Sequence, residues 1–175
     1  MEFGRVLFRS MGEDTFEGVG QSLEALSLSN NRLKEIPVNA LRKCTKLSHL
    51  NIGHNEISGF NSSDLSPWGT NLETLLLRNN KIKEIPERAF VNSPKLRELS
   101  LSFNKIIYIH PSAFRDLSLT LQSLEISFGL TGSAFPEKEL KPLAALEWLA
   151  LDNNYISKLS ETSLLAFGEL RYLNL

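Results

Sequence analysis

The sequence predicts a repeat solenoid of the α/β horseshoe type, with one parallel β-sheet along its concave face. Two observations support this prediction. The pattern Leu-x-x-Leu-x-Leu-x-x-Asn-x-Leu returns in phase along the chain, and apolar residues return at fixed offsets in the second half of each repeat. The copies begin at residues 23, 47, 72, 96, 121, 146 and, for a partial one, 170, which spaces them 24 or 25 residues apart. Such a repeat cannot bury its apolar face alone, so stacking on its neighbours makes the stable unit.

The first part of each repeat predicts a β-strand. In the copy LEALSLSNNRL, residues 23–33, the second and third leucines alternate with polar residues, which is the period of a strand with one buried face. Copies of this strand are expected to pair as a parallel sheet, with neighbours about 4.8 Å apart. The alternate polar residues then line the concave face.

The asparagine after each strand predicts a side-chain ladder. An amide group both donates and accepts hydrogen bonds, so it can bond backbone groups of its own turn and of the neighbouring repeat. The ladder is expected to contain Asn31, Asn55, Asn80, Asn104 and Asn154, all of them buried. Loss of one member would leave backbone groups unpaired, at a cost of roughly 1–3 kcal/mol.

The fifth repeat departs from this pattern. Gly129 stands at the ladder position and Thr131 at the apolar turn position. Glycine has no side chain that could join the ladder. We therefore expect a local irregularity at this repeat, with a bend in the solenoid.

The second half of each repeat is predicted to fill the convex side beneath the sheet. Pro37 and Pro86 follow an apolar residue there and disfavour regular helix. Extended segments, turns and short 3₁₀ pieces are therefore expected instead of full helices. The apolar residues at offsets of thirteen, eighteen and twenty-one are Ile36, Phe60, Ile85, Ile109 and Leu159, then Leu41, Leu65, Phe90, Phe114 and Leu164, then Cys44, Leu117 and Phe167.

Outward-facing strand positions supply the candidate partner-binding residues. Most are small and polar, but Trp148 and Tyr172 share one offset in adjacent repeats and are expected to be neighbours on the open face. Exposed aromatics near arginine or acidic residues are typical of interface hot spots. The candidate site is Trp148, Tyr172, Arg78, Leu76 and Glu125. The competing interpretation is that Trp148 only packs on the next repeat. A second pair, Phe103 and Phe128, is expected to stack at the rim of the sheet in a packing role.

Residues 23–175 resemble the leucine-rich repeats, about 24 residues long, of extracellular proteins. The strand motif carries this resemblance, together with the Ala-Phe pair and following leucine in RAFVNSPKLREL and SAFRDLSLTLQSL. Within that group, LQSLEISFGLTGSAFPEKELKPL and LEWLALDNNYISKLS are most similar to chaoptin-like adhesion proteins. The resemblance implies a cell-surface location, cell adhesion and a protein partner, with a second copy of the same chain as one candidate. Toll-like receptor ectodomains have similar repeats and give the alternative; an intracellular scaffold is the third interpretation.

Composition and motifs predict no catalytic residues, no metal and no cofactor. The net charge is −1 and no basic run is present, which disfavours a nucleic-acid partner. The histidines His49, His54 and His110 have no metal-ligand spacing, and the single cysteine, Cys44, is expected to be a buried, inert thiol. No apolar stretch approaches the length of about 18 residues that a membrane span needs, so membrane attachment is expected only through segments outside this sequence.

The ends of the chain predict its division into segments. Residues 1–10 are interpreted as a foreign or disordered leader, because RVLFRS resembles a translated sequencing adapter. Residues 11–22 are predicted to end a preceding repeat, since Phe16 and Val19 match the residues that close one. Residues 23–175 are the repeat domain, without visible caps. Uncapped apolar edges predict poor solubility or self-association.

Asn61 is the candidate glycosylation residue. The run Asn61-Ser62-Ser63 is a sequon with an allowed middle residue, and it follows a strand in a turn that is expected to be exposed. Together with the extracellular type of repeat, this position predicts a glycan.

Overall fold

The computed structural model describes residues 7–175, so the first six residues of the predicted leader lie outside the described part of the chain. Within it, nine short strands form: β1 (Ala25–Ser27), β2 (His49–Asn51), β3 (Thr74–Leu76), β4 (Glu84–Ile85), β5 (Glu98–Ser100), β6 (Tyr108–Ile109), β7 (Ser123–Glu125), β8 (Trp148–Ala150) and β9 (Tyr172–Asn174). Seven of them, one from each predicted repeat, pair in the order β1-β2-β3-β5-β7-β8-β9. Strands β4 and β6 form a separate pair on the convex side.

Equivalent positions of successive repeats face one another across the large sheet. Leu50 pairs with Leu26 on one side and with Leu75 on the other, and every strand pair is parallel. The middle strand leucine points into the core, where Leu50, Leu75, Leu99, Leu124 and Leu149 are buried. The first and third residues of each strand point to the concave face. The predicted horseshoe with a parallel sheet is confirmed.

In the large sheet, every strand from β1 to β8 is followed by a turn with one residue in the left-handed conformation. Its φ lies between +52° and +59° at Asn30, His54, Asn79, Phe103, Phe128 and Asn153. Asparagine and histidine tolerate this conformation better than most side chains, whereas a bulky aromatic residue there is an outlier. The rim of the sheet therefore has a strained backbone position at Phe103 and at Phe128.

Ladder asparagines bond two repeats at once. The Nδ2 of Asn80 donates to the carbonyls of Ile52 and Leu77 at 3.1 and 3.0 Å, and its Oδ1 accepts the N–H of Ile57 at 3.0 Å. Asn55 and Asn104 make the same set of bonds. These three are buried, whereas Asn31 and Asn154 are only half-buried, contrary to the expectation for the whole ladder.

Gly129 changes the backbone path of the fifth repeat. The N–H of Ile106, which would otherwise meet an asparagine Oδ1, donates to the backbone carbonyl of Gly129 at 2.8 Å. A Cβ at Gly129 would lie 2.7 Å from Cγ2 of Ile126, so any side chain at this position would force Ile126 to shift. Leu130 packs against the core in place of Thr131, which is exposed. The predicted local irregularity is present: the apolar residue of the turn stands one position earlier than in the other repeats, at residue 130 instead of 131.

Helical turns and extended segments fill the convex side, as predicted. They comprise two one-turn helices, α1 (Val38–Leu41) and α2 (Glu137–Leu140), and the 3₁₀ turns Ser62–Leu65, Gly69–Asn71 and Arg115–Leu117. Pro37 directly precedes α1, so it begins a helical turn and does not exclude one. Most of the apolar side chains assigned to this side are buried. Leu159 and Leu164 are exceptions, with 42% and 36% of their surfaces exposed.

The described residues before β1 contact the first complete repeat. The backbone N–H of Phe8 donates to Oδ1 of Asn31 at 3.0 Å, and the carbonyl of Phe8 accepts from the N–H of Arg32 at 2.8 Å. Leu33 makes the equivalent bonds with Asn55 and Glu56 one repeat later. The proposed division of this region into a leader and a partial repeat stays a prediction.

Candidate protein-binding site on the concave face

The concave face is the outward surface of the seven-stranded sheet and of the residues that directly follow each strand. Over the first two strands it carries small or polar side chains, such as Ala25, Ser27 and Asn51. Larger side chains gather from β3 onwards. The candidate site therefore extends over the last five strands of the sheet, from β3 to β9.

Trp148 and Tyr172 form the aromatic part of the site. They are paired in register between β8 and β9, and their rings stack with centroids 3.5 Å apart and planes 11° apart. The exposed fractions are 43% for Trp148 and 38% for Tyr172. Trp148 thus does pack on the next repeat, as the competing interpretation held, and it still presents a large apolar surface to solvent.

Three carboxylates lie on the same face, and each is held by a hydroxyl of the preceding repeat. Thr74 donates to Oε2 of Glu98 at 3.3 Å, and Ser100 donates to Oε2 of Glu125 at 2.8 Å. Ser127 donates to Oδ1 of Asp152 at 2.5 Å. These bonds fix the directions of the carboxylates before any partner arrives.

Hydrogen bonding keeps Asp152 charged. The hydroxyl of Ser127, followed by the side-chain amide of Asn153, lowers the pKa of Asp152 below its ordinary value. A carboxylate that accepts hydrogen bonds in its ionised form resists protonation. Asp152 therefore presents a full negative charge at neutral pH.

A hollow of about 290 Å³ lies among these groups. Four of the five predicted site residues, Leu76, Arg78, Glu125 and Trp148, line it together with Glu98 and Ser123, and Tyr172 stacks beside Trp148. The structure thus brings the predicted residues together. Sequence reasoning left Glu98 and Asp152 out of the site. The available signal was the hydroxyl that stands 24 or 25 residues before each carboxylate.

Arg78 turns towards the rim of the sheet. Its guanidinium carbon lies 5.6 Å from the centroid of the Phe103 ring, within the range of a cation–π contact. Phe103 stacks in turn on Phe128, with centroids 4.8 Å apart, as the sequence predicted. The only arginine of the predicted site is thus engaged by an aromatic ring at the rim.

The repeats match a known protein family. The family model described as leucine rich repeat matches residues 5–66 and 70–128, which is more than half of the chain. The chain belongs to the leucine-rich repeat family. Members of this family generally serve as protein-interaction modules. A comparison with the curated proteins finds no match.

Two solved leucine-rich-repeat structures share the fold. A leucine-rich-repeat protein of Leptospira interrogans has a TM-score of 0.79 and 26% identity over 97% of this chain and 40% of its own. The TLR13-ssRNA13 complex has a TM-score of 0.78 and 24% identity over 97% of this chain and 27% of its own. The chain therefore spans less than half the length of either protein, and the second likeness concerns the fold alone.

The sequon of this leucine-rich-repeat chain lies at the start of a 3₁₀ turn. Asn61 is exposed and caps that turn, with its Oδ1 accepting from the N–H of Ser63 at 3.0 Å and from the Ser63 hydroxyl. The carboxylate of Asp64 accepts the N–H of Asn61 at 2.8 Å. A glycan would be attached at the Nδ2 of Asn61, an atom that takes part in none of these three bonds.

Other chemistry outside the concave face is sparse. Cys44 is fully buried, and desolvation by burial raises the pKa of its thiol. No group of three or more metal-ligating side chains gathers anywhere between residues 7 and 175. Over the same range, no helix has the length and apolar character needed to cross a bilayer.

Proposed function

We propose that this chain is the partner-binding part of a chaoptin-like cell-surface adhesion protein and that it binds another protein through the concave face. The observation that supports this most directly is the exposed Trp148–Tyr172 stack beside oriented polar groups. Aromatic anchors with a polar surround are the usual composition of an interface hot spot. The proposed role is non-catalytic, and it needs no metal or cofactor.

A protein partner fits the charge of this face better than a nucleic acid does. Glu98, Glu125 and Asp152 would repel a phosphate backbone, and Arg78 is turned onto Phe103. The RNA in the TLR13-ssRNA13 complex belongs to that receptor. Binding of single-stranded RNA to the concave face of this chain would contradict the proposal.

The adhesion role is supported by the amino-acid sequence of the fifth and sixth repeats, which resembles that of chaoptin-like proteins. A ligand-binding ectodomain of a Toll-like receptor is the second candidate, because the fold is shared with the TLR13 structure. Extracellular location and membrane attachment through other segments of the protein form part of both proposals. The fold alone does not separate them.

A cell-aggregation assay tests the proposed function. Suspended cells that express the full-length protein at their surface should adhere to one another or to partner cells, and Trp148→Ala should reduce that adhesion at equal surface level. Tyr155→Ala is the matched control, because Tyr155 is a highly exposed aromatic outside the concave face. Adhesion that is unchanged by Trp148→Ala would contradict the proposal. Absence of adhesion together with ligand-induced signalling would favour the receptor.

We also propose that Asn61 carries an N-linked glycan. The exposure of Asn61 supports this, as does the extracellular type of repeat. Secreted protein should lose mass on treatment with an N-glycosidase, and Asn61→Gln should have the smaller mass before treatment. A wild-type mass that the glycosidase leaves unchanged would contradict glycosylation.

A further inference from the structure

The three concave-face carboxylates form a diagonal row. Glu98 is the first residue of β5, Glu125 is the last residue of β7, and Asp152 follows β8 by two residues. The strands pair position for position, so each step along the row crosses one strand and advances two residues. With strands about 4.8 Å apart and a rise of about 3.3 Å per residue, successive backbone positions are about 8 Å apart.

No ion pair in the described chain includes a carboxylate of this row, and Arg78, which lines the same hollow, is turned onto Phe103. The side-chain ion pairs between residues 7 and 175 join Lys43 to Asp14, Lys81 to Glu56, Arg88 to Asp116 and Arg171 to Glu147, and none includes a carboxylate of the row. The groups that orient the row are neutral: a hydroxyl donates to each carboxylate, and the side-chain amide of Asn153 also donates to Asp152. The row therefore keeps its negative charge and its capacity to accept bonds from a cationic donor.

The aromatic stack lies beside Glu125, the middle carboxylate of this row. Trp148 is paired with Ser123 on one side and with Tyr172 on the other, two residues along the sheet from Glu125. The faces of tryptophan and tyrosine attract cations, and guanidinium groups also stack on them. Arginine can thus bond a carboxylate of the row through its N–H fork while its plane contacts an aromatic ring.

We infer that the concave face binds an extended, positively charged segment of the protein partner, with arginine or lysine at alternate positions over Glu98, Glu125 and Asp152. Alternate side chains of a strand are about 6.6 Å apart, and long cationic side chains span the remaining distance to an 8 Å repeat. This inference rests on the proposed function, because it names the kind of partner surface that the same face takes.

Titration calorimetry with a synthetic peptide tests the inference. The probe is the blocked hexapeptide Arg-Ser-Arg-Ser-Arg-Ser, added to the full chain, and the same peptide with glutamate in place of arginine is the negative probe. The variant Glu98→Gln/Glu125→Gln/Asp152→Asn should bind the arginine peptide at least about tenfold more weakly, a loss of about 1.4 kcal/mol. Trp148→Ala should also weaken binding.

A matched variant controls for the change in net charge. Glu13→Gln/Glu17→Gln/Glu169→Gln removes the same number of charges from exposed positions outside the concave face and should change affinity less than twofold. Equal weakening by the two triple variants would overturn the inference. So would equal affinity of the wild-type chain for the glutamate peptide.

Charge reversal keeps the test decisive if the triple variant folds poorly. Glu125→Lys should lose affinity for the arginine peptide and gain affinity for the glutamate peptide. If the two affinities do not change in these opposite directions, the inference is overturned.

The cell-aggregation assay separates this inference from the proposed function. If Trp148→Ala abolishes adhesion and the concave triple variant does not, the inference fails while the proposed function stands. If neither variant changes adhesion, the proposed function fails.

Discussion

The Oδ1 of Asn55 accepts the backbone N–H of Leu33, in the preceding repeat, at 3.0 Å. The Nδ2 of the same side chain donates to the carbonyls of Leu28 and Ile52 at 2.9 and 3.0 Å. One buried amide thus satisfies backbone groups on both sides of a repeat boundary, where short strands leave the turn without regular pairing. This relationship, repeated along the chain, couples the stability of each repeat to that of the next.

Asn80→Ala should therefore destabilise the chain by about 2 kcal/mol, because it leaves the buried N–H of Ile57 without its acceptor and removes one of the two side-chain donors to the carbonyl of Ile52. Chemical denaturation measures the effect. The control is Asn39→Ala, at an exposed position within α1, which should change stability by less than about 0.5 kcal/mol. Equal midpoints for the two variants would show that the ladder adds nothing.

Gly129→Asn should lower the free energy of unfolding by about 1–3 kcal/mol, although it restores the ladder residue of the other repeats. The new Cβ would lie 2.7 Å from Cγ2 of Ile126 and 3.1 Å from its carbonyl oxygen. Gly132→Asn is the matched control, because a Cβ there meets no atom within 4 Å. A rise in melting temperature for Gly129→Asn would show that this repeat can return to the regular path.

Phe103 can be replaced by residues with different tolerance for its φ of +57°. Phe103→Asn should be more stable than Phe103→Val by about 1 kcal/mol, since asparagine accepts the left-handed conformation and a β-branched residue does not. Both variants lose the stacking on Phe128, so that loss cancels in the comparison. Thermal unfolding of the pair measures the difference. Equal stability would contradict backbone strain at this position.

Ser127→Ala should raise the pKa of Asp152 towards the ordinary aspartate value of about 3.9, because the hydroxyl is the first cause of its depression. A lowered pKa in the folded state adds stability above pH 3.9, and that stability is lost as the pH falls through the folded pKa. The variant should consequently lose less stability than the wild type as the pH falls from about 5 through the folded pKa of Asp152. NMR titration of the carboxyl measures the shift. The control is Ser29→Ala, at the equivalent position of the first repeat, which should leave the pKa of Asp152 unchanged. If the pKa of Asp152 is also unchanged in Ser127→Ala, the hydrogen bond from Ser127 is not what lowers it.

The sequence predicted what depends on periodicity. One-dimensional spacing places Leu50 next to Leu26 and Leu75, and it places Trp148 next to Tyr172, because a solenoid converts a constant repeat length into lateral contact. The strands, the position of the aromatic pair and the irregularity at Gly129 all follow from that rule.

Features that depend on local geometry were not predictable in the same way. Pro37 precedes a helical turn, since proline is acceptable where a helix begins. Trp68 is buried at the offset of twenty-one, like Cys44 and Leu117, but the spacing does not show that its indole nitrogen lacks a hydrogen-bond partner in the described part of the chain. The carboxylate row was missed because it runs diagonally, so Glu98, Glu125 and Asp152 share no single offset in the repeat. Recognising it requires the register of the sheet together with the hydroxyl partners.

Site-specific photo-crosslinking on the full-length, cell-surface protein tests the central claim most directly. A benzophenone amino acid at Ser123, in the concave hollow, should capture a protein on irradiation, whereas the same amino acid at Tyr155, outside that face, should capture much less. Trp148→Ala should abolish the product from position 123. Capture from position 155 alone, or a product at position 123 that persists with Trp148→Ala, would contradict a partner site on the concave face.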